Sequence, residues 1–248
     1  MSGLRASNFR RIHVGLLLDL VLMFLQPAII AALLGVVLKQ LSTAGVGVES
    51  VTVVQLLASP SIAVGAMYAF LALQYCLAAL CALLVVSGLG ELEVRSQSLR
   101  RAKQCFVLLA VTEGVAMIAH ISDVIRPDGE TLSLISGVWL ASLVLLLAFR
   151  ALGLRGMLRG FGEVLESIGA SEQSRRALRL SRHIVAAAAL LELLLIAMLA
   201  LYLFDLPSAT MPLRRALIVF AGLYYFLCRA SAVLCAGAAA RRIAALSE

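Results

Sequence analysis

Four ionisable side chains stand inside long aliphatic runs of this chain: Asp19, Glu113, Glu192 and Arg229. A charge at the centre of a bilayer costs about 2.5–3.5 kcal/mol on insertion scales, so it faces the interior of a helix bundle and takes a partner. Such residues bind a solute or ion, or relay protons, near the membrane midplane; equally, they can serve as structural ion pairs that hold the bundle. Arg150, near the end of its apolar run, is close enough to the edge to snorkel to water, and Asp19 shares that option.

Depth along each helix narrows the pairing. At 1.5 Å per residue, Asp19 lies about 9 Å past His13, whereas Glu113 and Glu192 lie about 13–14 Å past Gln104 and His183. Arg229 is about 18–21 Å from both Arg215 and Arg241, too deep to reach water easily, so it requires an acidic partner. Glu192 is the first expectation, because the last two spans form one hairpin, and Glu113 is the second. Small residues flank these charges, among them Ala110, Gly114, Ala232 and Ala236, and suit close helix packing.

Other chemistry has little support. His13, His120 and His183 do not fall at matched depths as paired haem or metal ligands would. The cysteines at 76, 81, 105, 228 and 235 form no CxxC pair and read as small buried hydrophobes. The chain has no Gly-x-Ser-x-Gly elbow, no HExxH and no phosphate-cradling loop. These residues point away from an enzyme, and no metal or cofactor is expected.

The elements that position the charges follow from composition. The 248 residues are 62% hydrophobic and 14% charged, with a mean hydropathy of +1.02. Soluble domains run at roughly 45–50% and 25%. This is the composition of an all-α integral membrane protein, and the length suits about six spans of about 20 residues each. The net charge of +7 is made mainly by arginines at the ends of apolar runs, where membrane topology accounts for them and nucleic-acid binding is not implied.

The spans are expected at about Val14–Leu38, Ile62–Leu89, Gln104–Ile121, Leu132–Leu154, His183–Phe204 and Arg215–Ala240. Pro27 should kink the first. The first span lacks a small-residue cleavage site and is expected to stay in the membrane. The apolar part of the following loop, Val51–Ala58, is expected on the membrane surface, and Asp123–Thr131 has turn chemistry. Trp139 falls too far into its span for a simple interfacial anchor. Beyond the fourth span the chain should stay helical to Ile168, with Arg155, Arg159, Glu163 and Glu166 on one solvated face. Gly169 is the expected helix stop and Ser171 the next N-cap.

A repeated stretch organises these spans. Gly88–Ala102, GLGELEVRSQSLRRA, matches Gly160–Ala177, GFGEVLESIGASEQSRRA, in its Gly-x-Gly-Glu, its serine-bearing turn and its Arg-Arg-Ala. Gly65, Gly137 and Gly222 lie 26 residues before Glu91, Glu163 and Glu248, which extends the pattern to a third copy. A single domain over 1–248 is thus expected as three parallel helical hairpins at about 14–90, 98–168 and 172–248. Fifteen Lys and Arg fall on the side of the termini and four on the other, Lys39, Arg126, Arg214 and Arg215. The positive-inside rule then places both termini in the cytoplasm, across a plasma membrane of bacterial inner-membrane type.

The functional expectation is transport of a small solute, ion or proton through a site made by Asp19, Glu113, Glu192 and Arg229. The alternative is a non-catalytic membrane subunit or scaffold in which those charges are structural. A water-accessible cavity at Glu113 or Glu192 favours the first, a dry and fully paired interior the second. Expected partners are the lipid bilayer, anionic headgroups at the arginine clusters, and a membrane-protein partner or second copy.

Overall fold

The computed structural model describes residues 6–43, 62–125, 132–203 and 211–245. Among them there is no strand, and six long helices carry the chain: α1 (Ala6–Thr43), α2 (Ile62–Leu89), α3 (Gln97–Ile125), α4 (Leu132–Ser167), α5 (Ser171–Leu203) and α6 (Met211–Ala244). Each helix packs on its neighbour in sequence, and α6 returns to pack on α1, so the six close into a ring. Direct packing of α4 on α6 adds a contact across it.

At 28–38 residues the helices are about 42–57 Å long, more than a hydrocarbon core of about 30 Å needs. Five described stretches are long and apolar enough to cross a membrane: Ala6–Leu33, Tyr68–Leu89, Gln97–Ser122, Ala141–Ser167 and Val219–Ala244. The outer surface agrees with lipid as solvent, since Phe24, Leu193, Phe220 and Leu234 all stand exposed. The expected apolar run of α5 extends into residues whose side chains lie outside the description.

Helix limits match the sequence reading at α2, at the start of α4 and, within one residue, at the ends of α4 and α5, and run longer than the expected spans elsewhere. α1 begins at Ala6 and remains helical through Pro27. The surface segment expected at Val51–Ala58, most of the 123–131 turn, the Trp139 side chain and Glu248 lie outside the described residues.

The tightest packing gathers at the end that carries the start of α1 and the α2–α3 and α4–α5 turns, here termed the basic end. Phe9, Ile12, Leu89, Leu99, Phe106 and Phe161 are all fully or almost fully buried, and the Phe9 and Phe161 rings lie 5.2 Å apart. Both Gly-x-Gly-Glu stretches work here. A Cβ on Gly88 would sit 2.7 Å from the Asn8 carbonyl oxygen and 2.6 Å from Ile12 Cγ1, and one on Gly160 would overlap Leu99. Hydrogen in place of a side chain lets α2 meet α1, and α4 meet α3, at backbone distance.

The glutamates that follow then fasten the same crossings. Glu91 accepts a 2.9 Å hydrogen bond from Asn8 Nδ2. Glu163 accepts from the hydroxyls of Ser96 and Ser98, the latter at 2.8 Å. Ser96 caps α3, its Oγ accepting from the backbone N–H of Ser98 and Leu99 at 3.1 and 3.3 Å.

Arg155, Arg159, Glu163 and Glu166 are all exposed along α4, as their spacing predicts. That helix ends in a Schellman motif. Ala170 N–H bonds to Leu165 O at 2.9 Å and Gly169 N–H to Glu166 O at 3.0 Å, with Gly169 at φ +79°. Ser171 is the first residue of α5 and not its cap; the Schellman turn brings the chain into the new helix one residue earlier, and Ala170 O takes the Ser174 N–H.

Candidate functional site

The charged residues converge part-way along the ring from the basic end. Asp19 on α1, Glu113 on α3, Arg150 on α4 and Arg229 on α6 form one continuous chain of ion pairs. Arg150 donates to Glu113 at 2.7 Å and lies 3.4 Å from Asp19. Asp19 in turn accepts from Arg229. Two carboxylates and two guanidiniums thus balance in charge. Glu113 is 3% and Arg229 5% exposed, and paired ions of this kind are the form in which charge is tolerated at depth.

The pairing differs from the sequence expectation in two ways. Arg229 takes Asp19, neither Glu192 nor Glu113. The reason is the register of α1 on α6. His13 Nδ1 lies 3.0 Å from Val233 O, and a Cβ on Gly237 would meet the His13 ring at 3.0 Å. His13 is therefore level with residues 233–237 and not with Arg241. In antiparallel helices, six residues forward from His13 to Asp19 match six residues back from Cys235 to Arg229. Counting both depths from charged helix ends had placed them about 9 Å apart.

The second difference is Arg150, which sequence depth assigned to the edge and which instead joins both carboxylates. Gly153 faces Phe106 and Cys105, which sets the Arg150 backbone about level with Leu108–Leu109, so the side chain reaches roughly 6–7 Å further in to meet Glu113. Side chains lean toward the N-terminus of their helix. For α4 that direction is away from the basic end, toward the bundle interior. The available signal was this lean on a helix that descends toward the basic end. Glu192 is partly exposed on α5 and is not drawn into the cluster; its neighbour Leu191 is.

A cavity of about 290 Å³ opens beside the ion pairs. All four charged residues line it, with Gln26, Gln74 and Tyr75 as polar wall and Leu143, Leu146, Leu147 and Leu191 as apolar wall. Two of its polar atoms, Gln74 Oε1 and Arg150 Nε, are buried without a hydrogen-bond partner, as is the nearby Tyr225 hydroxyl. Such atoms normally bond to protein or water, so each marks a place where something polar fits. Arg229 also lies 2.8 Å from Met23 Sδ and 5.8 Å from the centre of the Tyr225 ring.

The histidines are dispersed. His13 is on Val233 O, His183 Nδ1 is 2.9 Å from the Tyr224 hydroxyl, and His120 packs between the Tyr68 and Tyr75 rings. Among the described residues no group of three or more His, Cys, Asp or Glu is placed to hold a metal ion. Cys81 and Cys228 are buried, whereas Cys76 is exposed, so the cysteines are only partly the interior hydrophobes expected. Comparison with protein-family models, curated proteins and solved structures finds no match.

Proposed function

We propose that this chain is a membrane transport protein that passes a small polar solute, an ion or protons through the cavity beside Asp19, Glu113, Arg150 and Arg229. The observation that supports it is the cavity itself: about 290 Å³, room for about ten waters at about 30 Å³ each, reaching all four charges and two unpartnered polar atoms. A purely structural ion-pair network has no use for such a space. Glu192 leaves the proposed site, and Arg150 enters it.

The arginine count favours both termini in the cytoplasm of a bacterial-type inner membrane. Three parallel hairpins remain the proposed architecture, supported by the same glycine contact and glutamate bond at Gly88–Glu91 and Gly160–Glu163. A reporter after Glu248 or near Gly169 should then read cytoplasm, and one at Asp128–Gly129 the opposite side.

The scaffold reading keeps one specific observation in its favour: the ion pairs tie α1, α3, α4 and α6 together. Proteoliposomes separate the two. Flux of protons, glycine, acetate or methylamine above protein-free vesicles, lost in Glu113→Gln protein of unchanged fold, supports transport. No flux of any of them, with Leu147→Cys closed to a hydrophilic thiol reagent, supports the scaffold.

A further inference from the structure

A second feature, away from the charged cavity, has the build of a ligand site. Near the basic end a groove of about 470 Å³ runs between α5 and α6 with Leu165 of α4 at its base. Its polar part holds Arg176, Arg241 and Gln173, and its apolar part Leu180, Leu234 and Ala238. Arg241 has no acidic partner among the described residues, while Arg176 is paired with Glu172 on the exposed side of α5. Gln173 Oε1 is buried without a donor. We propose that this groove binds one anionic phospholipid whose headgroup carries hydroxyls, of the phosphatidylglycerol type.

The ligand chemistry follows from the order of the lining groups. Leu234 is exposed, as a lipid-facing side chain should be, and Arg241 is seven residues, about 10 Å, further along α6. A headgroup layer is about 5–8 Å thick per leaflet, so aliphatic wall and guanidiniums stand where acyl chain and phosphate of one lipid would lie. Arg241 supplies an uncompensated cation for the phosphate. Gln173 Oε1 accepts only from a donor, which a choline headgroup or a fully ionised phosphate monoester lacks and a glycerol headgroup has.

Two other basic grooves lack this combination. The one at Glu93, Arg100, Lys103 and Gln104 has a carboxylate in its own lining, Glu93 at 2.9 Å from Lys103, and no buried unpartnered group. The one at Ser7, Arg10 and Arg11 has no buried unpartnered group.

Native mass spectrometry of the detergent-purified full chain tests the site at about pH 8, where a phosphate monoester is fully ionised, using phosphatidylglycerol, phosphatidic acid and phosphatidylcholine of matched acyl chains. Phosphatidylglycerol should bind most tightly. Arg241→Gln should weaken its first binding step about fivefold, the effect of one uncompensated basic residue near the headgroup. Adding Arg176→Gln should weaken it further but by less than about fivefold, because Arg176 shares its charge with Glu172. Arg100→Gln with Lys103→Gln, on α3, should leave that step within about twofold, since those side chains lie outside the groove. Ala238→Phe fills the groove with both arginines in place and should also abolish binding. Gln173→Leu should erase the preference over phosphatidic acid.

Equal binding of phosphatidylcholine, or equal loss in the α3 variant, overturns the site. Equal binding of phosphatidic acid by the unmodified protein overturns its hydroxyl recognition. None of these outcomes bears on transport, because the groove shares no residue with the charged cavity.

Discussion

Glutamate does two different jobs in this bundle, and depth decides which. At the basic end, exposed Glu163 fastens a helix crossing through neutral donors, the Ser96 and Ser98 hydroxyls, and exposed Glu91 takes a bond from Asn8 Nδ2 across the matching crossing. Glu113, on the α3 helix that Ser96 caps, is buried, and its partner is a guanidinium. Water shares the solvation of an exposed carboxylate, so one or two weak donors suffice. A carboxylate removed from water needs a full opposite charge, and the pair must balance as a unit.

Packing divides the same way. At the basic end glycines meet neighbouring backbone directly, as at Gly88 and Gly160, whereas a Cβ on Gly35, Gly65, Gly114 or Gly222 would meet nothing within 4 Å. One region is held by shape, with its polar groups as fasteners. The other is held by charge, with space left beside it.

The largest test of this contrast removes a guanidinium. Arg150→Leu leaves Glu113 without its direct partner and Asp19 with one fewer, and should cost about 3–5 kcal/mol in detergent unfolding. Arg229→Leu should cost less, because Asp19 retains Arg150. Asp19→Leu with Arg229→Leu should recover most of that loss, since a balanced Glu113–Arg150 pair remains. A double variant less stable than Arg229→Leu would mean that Asp19 contributes by itself and that the charges do not act as a balanced set.

Next in size is the shape-held region. Gly88→Ala drives a methyl group into the Asn8 carbonyl and should cost about 1–3 kcal/mol. Gly114→Ala, with open space around it, should instead stabilise by up to about 1 kcal/mol through helix propensity. Equal effects at the two positions in the same unfolding assay would erase the distinction between the halves.

The smallest expected effects are at the fasteners. Ser96→Ala loses the α3 cap and one bond to Glu163, and should cost about 1 kcal/mol. Glu163→Gln keeps an acceptor for Ser98 and should cost less than that. A Glu163→Gln loss as large as that of Arg150→Leu would show that the exposed glutamate also acts as a buried ion.

Much of this fold was legible before any helix was placed against another. Ile62–Leu89 was bounded correctly by apolar content alone, and the stop at Gly169 by one residue that tolerates positive φ. The solvated face of α4 followed from its 155, 159, 163, 166 spacing. These features are local, set by a few neighbours and the period of one helix. The need of Glu113 and Arg229 for interior partners was equally legible, because it depends only on the cost of charge in an apolar run; the same argument also drew in Glu192, which α5 leaves partly exposed.

Which partner each one takes was not legible. Helix register between His13 and Val233 joins segments 220 residues apart, and a slip of one turn would move Arg229 by about 5.4 Å, past Asp19. Depth counted from the end of an apolar run carries no information about that offset. Arg150 shows the same limit, since its distance from the edge is local but the lean of its side chain matters only once α3 stands beside α4. Chain composition and periodicity therefore determined the helices, a few of their ends, and that Glu113 and Arg229 must be paired. Only the packing of helices remote in sequence decided the pairs and left the cavity beside them.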